Sequence, residues 1–462
     1  MLLERIYDED LSQASYFIGC QQTNEAIVID PRRDVSVYLD LARTKGMRIT
    51  HVTETHIHAD YLSGTRELAE AADATIWVSG EGGQDWQYGF AGQRLHDGDT
   101  ITVGNLTLTA DHTPGHTPEH LSFRLTDGAT ADKPGYLFTG DFVFVGDLGR
   151  PDLLDEAAGG VDTRFEGAKQ LFRSLRDKLL ALPDYVQIFP AHGSGSACGK
   201  ALGAVPTTTV GYERNFSWWG RHLAANDEQG FIDELLEGQP DAPAYFSRMK
   251  RQNRDGPQIL GQRDPLQELD AEVVKKGVEE ATVTFVDTRD QHQVHQGTVP
   301  GAINVPVAGK PAAHAGWVYD PESDSRPLVL LADDQESAQS LRSHLIRVGI
   351  DTFDGYVTDL EGLPIVIPEL VSPNDLDTLD YDLLLDVRNK SEFAQGTIPG
   401  AEQLSAGRVL FHQDELPTTG TIVTFCQSGV RNSIAASALR RAGHQVVELE
   451  GSYLGWQAAN QQ

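Results

Sequence analysis

The sequence is poor in cysteine, in basic residues and in long hydrophobic runs. Its three cysteines, Cys20, Cys198 and Cys426, are too few and too scattered for a disulfide framework or a Cys-rich zinc site, so each is either buried filler or a reactive thiol. No apolar run is long enough to span a bilayer, and the acidic stretch over 1–9 lacks the apolar core of a signal peptide. We therefore expect a cytoplasmic protein with no membrane partner.

Basic residues are heavily outnumbered by acids. Lysine and arginine total 37 against 68 aspartates and glutamates, which gives a net charge of −31. Such a surface repels nucleic acid and anionic membranes, so nucleic acid is excluded as a partner. An anionic substrate then needs a locally positive site, and the acids elsewhere serve mainly to keep the protein in solution.

The length of 462 residues gives room for about three domains. Over 24–200, short β-rich runs alternate with helical stretches, which predicts an α/β domain. Residues 211–262 hold clustered aromatics, a helical stretch and Gly- and Pro-containing sequence. We interpret this segment as an extension that closes the first domain and leads into a linker.

An internal repeat occupies the rest of the chain. Asp287-Thr-Arg289 and the stretch 296–302 recur as Asp386-Val-Arg388 and 395–401, at a constant offset of 99 residues. Two copies of one α/β unit of this length fit an ordinary domain size. The predicted domains are therefore 1–262, 263–366 and 367–462.

Metal-type residues follow several predicted strands of the first domain. They lie in four clusters, Thr55–Tyr61, Thr113–Pro118, Phe138–Asp141 and Pro190–Gly193. Imidazole and carboxylate ligands on separate strand-end loops can converge on one ion. Four such clusters in this order predict a metal centre.

The order of these clusters resembles the metallo-β-lactamase fold, an αββα sandwich, over about residues 1–250. The usual first motif of that fold, His-x-His-x-Asp-His, feeds two metals, but its last position here is Tyr61. The resemblance then implies one non-haem Fe(II), held by His56, His116 and Asp141 as a two-His-one-carboxylate face. The segment 140–152 resembles the persulfide dioxygenase branch of this superfamily.

The remaining residues of the clusters have supporting roles in this interpretation. His58 and Asp60 are expected to orient the ligands, and His192 is expected near the pocket without binding metal. Arg150 is a candidate partner for carboxylates of a thiol carrier, or a solvated surface cation. Other histidines are expected to be structural or exposed; they are His51, His112 and His120.

Cys198 lies in a Gly- and Ser-rich stretch just past His192. Flexible surroundings would let its thiol approach the metal pocket, and Lys200 would favour the thiolate. We hypothesise that Cys198 accepts or relays sulfur near the iron. The alternative is a small buried residue that only packs in its loop.

The second copy of the repeat contains a nucleophile loop. A β-run ends at Cys426, and a helix-forming run follows Arg431. Backbone N–H groups of the loop and the helix dipole would favour a thiolate, and Arg431 adds a positive charge for a sulfur anion. The motif resembles the rhodanese family and implies Cys426 and Arg431 as catalytic residues. The sulfur-anion cradle would comprise Gln427, Ser428, Gly429 and Val430.

The first copy lacks these features. Its matching stretch, 328–334, has Ala332 and Asp333 in the region of the nucleophile, with no cysteine and no following arginine. Its acids would repel a sulfur anion. This copy resembles an inactive rhodanese domain, and we expect a structural or docking role for it.

Taken together, the chain resembles the bacterial persulfide dioxygenase–sulfurtransferase fusions of sulfide detoxification. The resemblance implies oxidation of a low-molecular-weight thiol persulfide by dioxygen to sulfite and thiol, and Cys-based sulfur transfer that gives thiosulfate. Two alternatives stay open: a mononuclear zinc thioester hydrolase fused to a rhodanese, and a persulfide-binding sulfur carrier. The sequence leaves open the thiol carrier, sulfur passage between the sites, the role of Cys20 and homo-oligomer formation.

Overall fold

The computed structural model describes residues 1–156 and 163–460, which divide into two compact units. The first unit comprises Met1–Gln239 and Phe246–Gln262, and the second comprises Pro240–Tyr245 and Arg263–Gln462. Sequence analysis places 240–245 in the first domain, whereas the structure places this segment in the second unit. The amide of Ala244 donates to the carbonyl of Gly407 at 2.9 Å, which holds the segment there.

Two six-stranded sheets form the first unit. The strands are β1 (Leu2–Asp8), β2 (Gln13–Cys20), β3 (Glu25–Ile29), β4 (Arg48–Thr53), β5 (Thr75–Ser79), β6 (Gln93–Leu95), β7 (Thr100–Val103), β8 (Leu106–His112), β9 (Leu121–Asp127), β10 (Tyr136–Gly140), β11 (Gln187–Pro190) and β12 (Thr208–Thr209). The sheet orders are β1-β2-β3-β4-β5-β6 and β12-β11-β10-β9-β8-β7. Strands β3 to β6 run parallel, as do β10 and β11.

Helices cover the outer faces of both sheets. They are α1 (Ser36–Lys45), α2 (Thr65–Ala72), α3 (Leu153–Glu156), α4 (Thr163–Ser174), α5 (Val210–Phe216), α6 (Trp218–Ala225), α7 (Glu228–Leu236) and α8 (Phe246–Asp255), with short turns of helix at Gln84–Trp86 and Leu175–Leu179. Within the described residues, no helix has the length and apolar character needed to cross a bilayer.

Side-chain alternation along the central strands explains the layers. In β2, Tyr16 and Ile18 face the core between the two sheets, whereas Phe17 faces the core under α1 and α2. On the other side, Leu171 of α4 and Phe231 of α7 pack on the second sheet. The predicted αββα sandwich is confirmed.

The second unit contains two parallel sheets, one for each copy of the repeat. Its strands are β13 (Thr284–Asp287), β14 (Ile303–Asn304), β15 (Leu328–Leu331), β16 (Phe353–Val357), β17 (Glu369–Val371), β18 (Leu383–Asp386), β19 (Glu402–Gln403), β20 (Thr421–Phe425) and β21 (Gln445–Leu449). The sheet orders are β14-β13-β15-β16 and β17-β21-β20-β18-β19. The two predicted α/β rhodanese-like domains are confirmed as the fold of this region.

Helices connect these parallel strands. They are α9 (Ala271–Glu279), α10 (Gln291–Val294), α11 (Pro311–Val318), α12 (Gln335–Ile346), α13 (Lys390–Ala394), α14 (Val430–Arg441) and α15 (Ser452–Asn460), with short turns of helix at Leu376–Thr378 and Val409–Glu415. We call residues 263–366 the first repeat and residues 367–462 the second repeat, and the structure describes the second as far as residue 460.

Candidate metal centre and thiol site

The first predicted metal ligands lie in the loop that follows β4. Asp30, just past β3, accepts hydrogen bonds from the amide of Thr55 at 2.7 Å and from its hydroxyl at 2.9 Å. Asp30 itself has a positive φ of 53°, which turns its carboxylate towards the neighbouring loop. The next residue, His56, is thereby fixed in the interior of the unit, where it is 1% exposed.

Three separate loops bring His56, His116 and Asp141 together. His56 follows β4, His116 follows β8, and Asp141 follows β10 directly. Their ligand atoms lie within 4.8 Å of one another. The Nε2 atoms of His56 and His116 are 3.9 and 3.5 Å from Oδ2 of Asp141. The structure therefore assembles the predicted two-His-one-carboxylate group.

Hydrogen bonds from neighbouring loops orient His116 and Asp141. Nδ1 of His116 donates to the carbonyl of Arg150 at 2.9 Å, which leaves Nε2 free to bind an ion. The amide of Asp141 donates to Nε2 of His120 at 3.1 Å. Gly140 precedes Asp141 with φ of 51°, and a side chain there would meet Thr55 and His120 at 2.5 and 2.7 Å. Only glycine permits this close approach.

Burial sets the charge state of the three donors. It lowers the pKa of His56 well below its usual value and lowers that of His116 to about 4, so both imidazoles are neutral at pH 7. Burial raises the pKa of Asp141 to about 6, and neither of its carboxylate oxygens accepts a hydrogen bond within residues 1–156 and 163–460. Two neutral imidazoles and an unpartnered buried carboxylate fit a divalent cation such as Fe(II).

A second group of donors lies beside the first. Ligand atoms of Asp60, His192 and Cys198 lie within 4.8 Å of one another. Nδ1 of His192 donates to the carbonyl of Ser12 at 3.0 Å, and its Nε2 is 3.4 Å from Oδ2 of Asp60 and 3.5 Å from Oδ1 of Asp141. Sequence analysis predicts a supporting role for Asp60 and no metal contact for His192, yet the structure gives them the geometry of a second ligand set.

Cys198 is the thiol of this second group and is 2% exposed. Burial, followed by the charges of Asp60 and Asp141, raises the pKa of Cys198 well above its usual value. The expectation that Lys200 favours the thiolate is wrong, because its ammonium group donates to the carbonyls of Glu234 and Glu237. The thiol does approach the pocket, while its role in sulfur relay stays a prediction.

His58 and Tyr61 both contact Asp30, and the ring of His58 lies 4.1 Å from that of His56 between centroids. Nε2 of His58 contacts Oδ1 of Asp30 at 3.0 Å. Burial would lower the pKa of His58, but Asp30 and the other nearby carboxylates raise it to about 9. The hydroxyl of Tyr61 donates to the carbonyl of Asp30 at 3.2 Å and accepts from Gln13. Both residues therefore brace the loop.

Arg150 is an internal brace. Its side chain is fully buried, and its guanidinium forms a bidentate pair with Asp152 at 2.5 and 2.8 Å. It also donates to the carbonyl of Ala197, and its amide donates to the carbonyl of Cys198. This burial excludes a solvated surface position, and pairing with carboxylates of a substrate carrier stays a prediction.

Three residues near the centre were missed by sequence analysis or given no role there. Asp30 ends a β-rich run, and that position at a strand end is the signal that could have found it. His120 was expected to be structural or exposed; it is buried and its ring stacks on His56 with centroids 5.1 Å apart. Asn253 of α8 donates to the carbonyls of His58 and Tyr61, and nothing in the sequence marks it.

Cys426 lies at the end of β20, where the chain turns into α14. The amide of Gly429 donates to Sγ of Cys426 at 3.1 Å, and Gly429 adopts a φ of 113° that favours glycine. The side chain of Gln427 accepts from Arg388 at 3.2 Å. Ser428 is exposed, whereas Val430 begins the helix. The predicted loop geometry, with a helix start behind the thiol, is present.

The guanidinium of Arg431 is paired with a carboxylate of the same repeat. Both terminal nitrogens of its guanidinium donate to the carboxylate of Glu392, at 2.6 and 2.8 Å. The positive charge that sequence analysis expects beside the thiol is thus paired with a carboxylate, because a largely buried guanidinium needs a counter-charge. The catalytic role of Arg431 stays a prediction. A sulfur anion that approaches Cys426 must share Arg431 with Glu392.

The two repeats share an internal brace that explains the recurring Asp-x-Arg motif. In the first repeat, Arg289 pairs with Asp287 at 2.7 Å and donates to the carbonyl of Gly297. In the second repeat, Arg388 pairs with Asp386 at 2.6 Å and donates to the carbonyl of Gly396. The motif is therefore structural in both copies.

The loop after the central strand distinguishes the repeats. After β15 the first repeat has Ala332-Asp333-Asp334, and Asp334 accepts from the amide of Ser337 at 2.8 Å to cap α12. A cavity of about 860 Å³ lies at this loop, and Arg289, Asp333 and Asp334 are among its lining residues. The first repeat thus has a cavity at this loop, and the loop contains no thiol.

Comparisons with known proteins show the family and the domain architecture of the chain. The chain matches the family model of the metallo-beta-lactamase superfamily over 8–192. A crystal structure of a metallo-beta-lactamase from Staphylococcus aureus subsp. aureus COL is 39% identical, has a TM-score of 0.66, and aligns with 77% of this chain and 98% of that chain. The chain belongs to the metallo-β-lactamase superfamily.

Further matches support the fusion architecture of this metallo-β-lactamase superfamily member. The rhodanese-like domain model matches 270–362 and 372–459. The mitochondrial persulfide dioxygenase ETHE1 of Bos taurus is 28% identical over 200 residues, 42% of this chain and 68% of that protein. A hydroxyacylglutathione hydrolase of Polaromonas sp. is 30% identical over 278 residues, 54% of this chain and 98% of that protein. The predicted fusion of a persulfide dioxygenase-like metallo-β-lactamase domain with rhodanese-like domains is confirmed.

Proposed function

We propose that this enzyme oxidises a low-molecular-weight thiol persulfide with dioxygen and transfers sulfur through Cys426. The observation that carries the first activity is the buried group of His56, His116 and Asp141, in which one carboxylate and two neutral imidazoles face a common point. Similarity to persulfide dioxygenases supports the substrate class. The sulfurtransferase activity draws its support from the Cys426 loop and the rhodanese-like fold.

One Fe(II) ion fits the three-ligand group, and when bound it would supply open coordination positions for a persulfide sulfur and dioxygen. His56, His116 and Asp141 would hold this ion. The carbonyl of Arg150 fixes the ring of His116, and the Arg150–Asp152 pair fixes the loop behind it. Burial of all three ligands limits access of water.

The proposed oxidation is balanced by one water molecule. A persulfide, RSSH, reacts with one dioxygen and one water to give the thiol RSH, sulfite and two protons. The terminal sulfur is oxidised, dioxygen is reduced, and the S–S bond breaks. Glutathione, coenzyme A and bacillithiol are candidate carriers.

The proposed transfer begins at the thiol of Cys426. A second persulfide gives its terminal sulfur to Cys426 and leaves as a thiol, so that Cys426 carries a persulfide. Sulfite then attacks the outer sulfur, which forms the S–S bond of thiosulfate and restores the thiolate of Cys426. The amide of Gly429 faces the sulfur throughout. The net products fit detoxification of sulfide.

A metal-dependent thioester hydrolase is the second candidate. The specific observation in its favour is the second donor group of Asp60, His192 and Cys198, which would give a two-metal site beside Asp141. Similarity over nearly the full length of a hydroxyacylglutathione hydrolase points the same way.

Metal analysis combined with oxygen uptake separates the two candidates. Full-length protein is stripped of metal, reloaded with either Fe(II) or Zn(II), and given persulfides of the three thiols or an acyl-glutathione thioester. We expect oxygen uptake, with sulfite or thiosulfate formation, in the Fe(II) protein alone, at one iron per chain. Two tightly bound zinc ions with thioester hydrolysis and no oxygen uptake would establish the hydrolase instead.

The relay role of Cys198 is tested separately. After brief exposure to a persulfide, mass spectrometry should find added sulfur on Cys198, and Cys198→Ser should take up oxygen more slowly at unchanged iron content. Cys20→Ser is the control, because Cys20 contacts Asn105 at 2.6 Å and is remote from the metal ligands in the sequence. An unmodified Cys198 with full activity in the variant would leave only a packing role.

A further inference from the structure

Helix α14 begins directly behind the Cys426 loop, and the first repeat bonds to it near that end. Ser433 donates through its hydroxyl to the side-chain carbonyl of Asn304 at 3.0 Å, and the amide of Asn304 donates to the hydroxyl of Ser437 at 2.9 Å. All three residues are buried. Because Ser433 and Ser437 are one turn apart, the two bonds fix the rotation of α14 about its axis.

A second link reaches the cradle through a buried carboxylate. Glu448 of β21 is 1% exposed and contacts Nε2 of His295, from the first repeat, at 3.1 Å. The same carboxylate accepts from the side chains of Asn432 and Arg440 at 3.2 and 2.7 Å. Asn432 follows Arg431 directly, so the position of Glu448 affects the end of the cradle.

A third contact lies at the cradle itself. A methyl group placed on Gly429 would come within 3.6 Å of Cγ and 3.7 Å of Nε2 of Gln291, the first residue of α10. Gln291 thus packs beside the residue whose amide faces Sγ of Cys426. At the opposite end of α14, Arg441 donates to the carbonyl of Gly301 at 2.8 Å and pairs with Asp324.

We propose that the first repeat, which has no nucleophile, supplies positioning residues for sulfur transfer in the second repeat. His295, Asn304 and Gln291 hold the amino-terminal half of α14 and thereby aim the amide of Gly429 at the sulfur of Cys426. This inference rests on the proposed transferase function of Cys426. It gives the first repeat an indirect part in that chemistry, through α14, beyond a structural or docking role.

The physical reason is the sensitivity of the cradle to small displacements. A hydrogen bond weakens steeply as its angle departs from linear, and the cradle amide lies at the first turn of a helix that moves as a rigid rod. Loss of one link would tilt or rotate α14 while the core under it stays packed. Turnover then falls because the sulfur is misaligned, whereas binding of the sulfur donor changes little.

The test uses full-length protein with substitutions at two links. We expect His295→Ala and Ser433→Ala to lower kcat for sulfur transfer from thiosulfate to cyanide by about tenfold each, with KM for thiosulfate changed by less than about twofold. His295→Gln retains a side-chain donor and should recover part of kcat. Oxygen uptake with a persulfide, an activity of the first unit, should be unchanged in every variant.

Gln296→Ala is the matched control, because Gln296 is exposed and follows His295 directly. Wild-type kcat in both test variants would overturn the proposal. So would a loss that His295→Gln does not reduce and that follows a lower melting temperature, since such a loss reports general destabilisation. If Cys426→Ser transfers sulfur as well as the wild type, the proposed transferase function itself fails, which is a separate outcome.

Discussion

The metal centre and the Cys426 loop use the same kind of position, the end of a buried strand, but they are assembled differently. His56, His116 and Asp141 come from three loops far apart in the sequence, and each is oriented by contacts from elsewhere in the unit. The thiol loop consists of six consecutive residues, Cys426–Arg431. A site assembled from several loops depends on distant braces, whereas a local site depends mainly on one turn and the helix behind it.

The largest expected effect separates the two sites completely. Asp141→Asn removes the charge that opposes a divalent cation, and we expect iron content and oxygen uptake to fall by about 100-fold or more. Transfer through Cys426 should be unchanged. Metal analysis and an oxygen electrode give the answer, with the exposed Asp132→Asn as control. Retained iron with normal oxygen uptake would contradict the ligand assignment.

The reciprocal change removes the local site. Cys426→Ser should abolish thiosulfate formation to below about 1% of wild type, because the hydroxyl cannot carry the sulfane sulfur. Oxygen uptake should continue, and sulfite should accumulate in place of thiosulfate. The first repeat provides no substitute, since the loop after β15 has no cysteine. Ion chromatography of the products measures both anions, and unchanged thiosulfate output would refute the role of Cys426.

Two glycine substitutions, one at each end of α14, test whether the geometry of the Cys426 loop matters for sulfur transfer. Gly429→Ala places a β-carbon at a φ of 113°, and we expect transfer to fall about tenfold with a loss of about 1 kcal/mol in the free energy of unfolding. Gly443→Ala, beyond the other end of α14, has a similarly positive φ of 95° and open space around it. It should cost similar stability and leave transfer intact. Equal loss of transfer in both variants would show that the cradle geometry is unimportant.

The smallest expected effect concerns buried charge near the metal centre. Burial raises the pKa of Glu119 to about 7, so the folded protein retains a proton that the unfolded chain releases above about pH 4.5. The free energy of unfolding therefore falls as pH rises from about 4.5 to 7. Glu119→Gln keeps an oxygen for the amide of Ile57 and should stabilise the metal-free protein by about 1–3 kcal/mol at pH 8.

Urea unfolding at pH 5 and pH 8 checks this prediction, with the exposed Glu166→Gln as control. The stabilisation should be several-fold smaller at pH 5, where the folded state holds nearly all of the proton and the unfolded state holds part of it. A gain of equal size at both values would show that packing, not ionisation, is responsible.

Most of what the sequence predicts correctly is encoded in short segments. The αββα layers follow from local hydrophobic patterns, and the thiol loop is continuous in the chain. The order of the metal motifs predicts that His56, His116 and Asp141 lie together, and their donor atoms do lie within 4.8 Å of one another. A motif can be recognised from sequence when each of its residues has a fixed position relative to the end of a strand.

The residues that escaped prediction act through partners far away in sequence. Glu392 neutralises Arg431, Asn253 anchors the loop before Tyr61, and Asp152 together with the Cys198 loop encloses Arg150. The second donor group was hidden for a related reason, because Tyr61 occupies the expected position and Cys198 supplies the third donor from another loop. The sequence does not show which arginine side chains are buried and paired with a carboxylate in the folded protein.

The Arg–Asp brace common to both repeats makes the nucleophile loop a replaceable part of a duplicated frame. Arg289 and Arg388 make equivalent bonds to Asp287 and Asp386, so the frame beside the loop is the same whether or not chemistry occurs there. The domain can therefore keep its frame without a thiol in this loop. For the protein engineer, the loop at Ala332, which borders the cavity in the first repeat, is therefore the position at which a graft of the six residues Cys426–Arg431 would be tested.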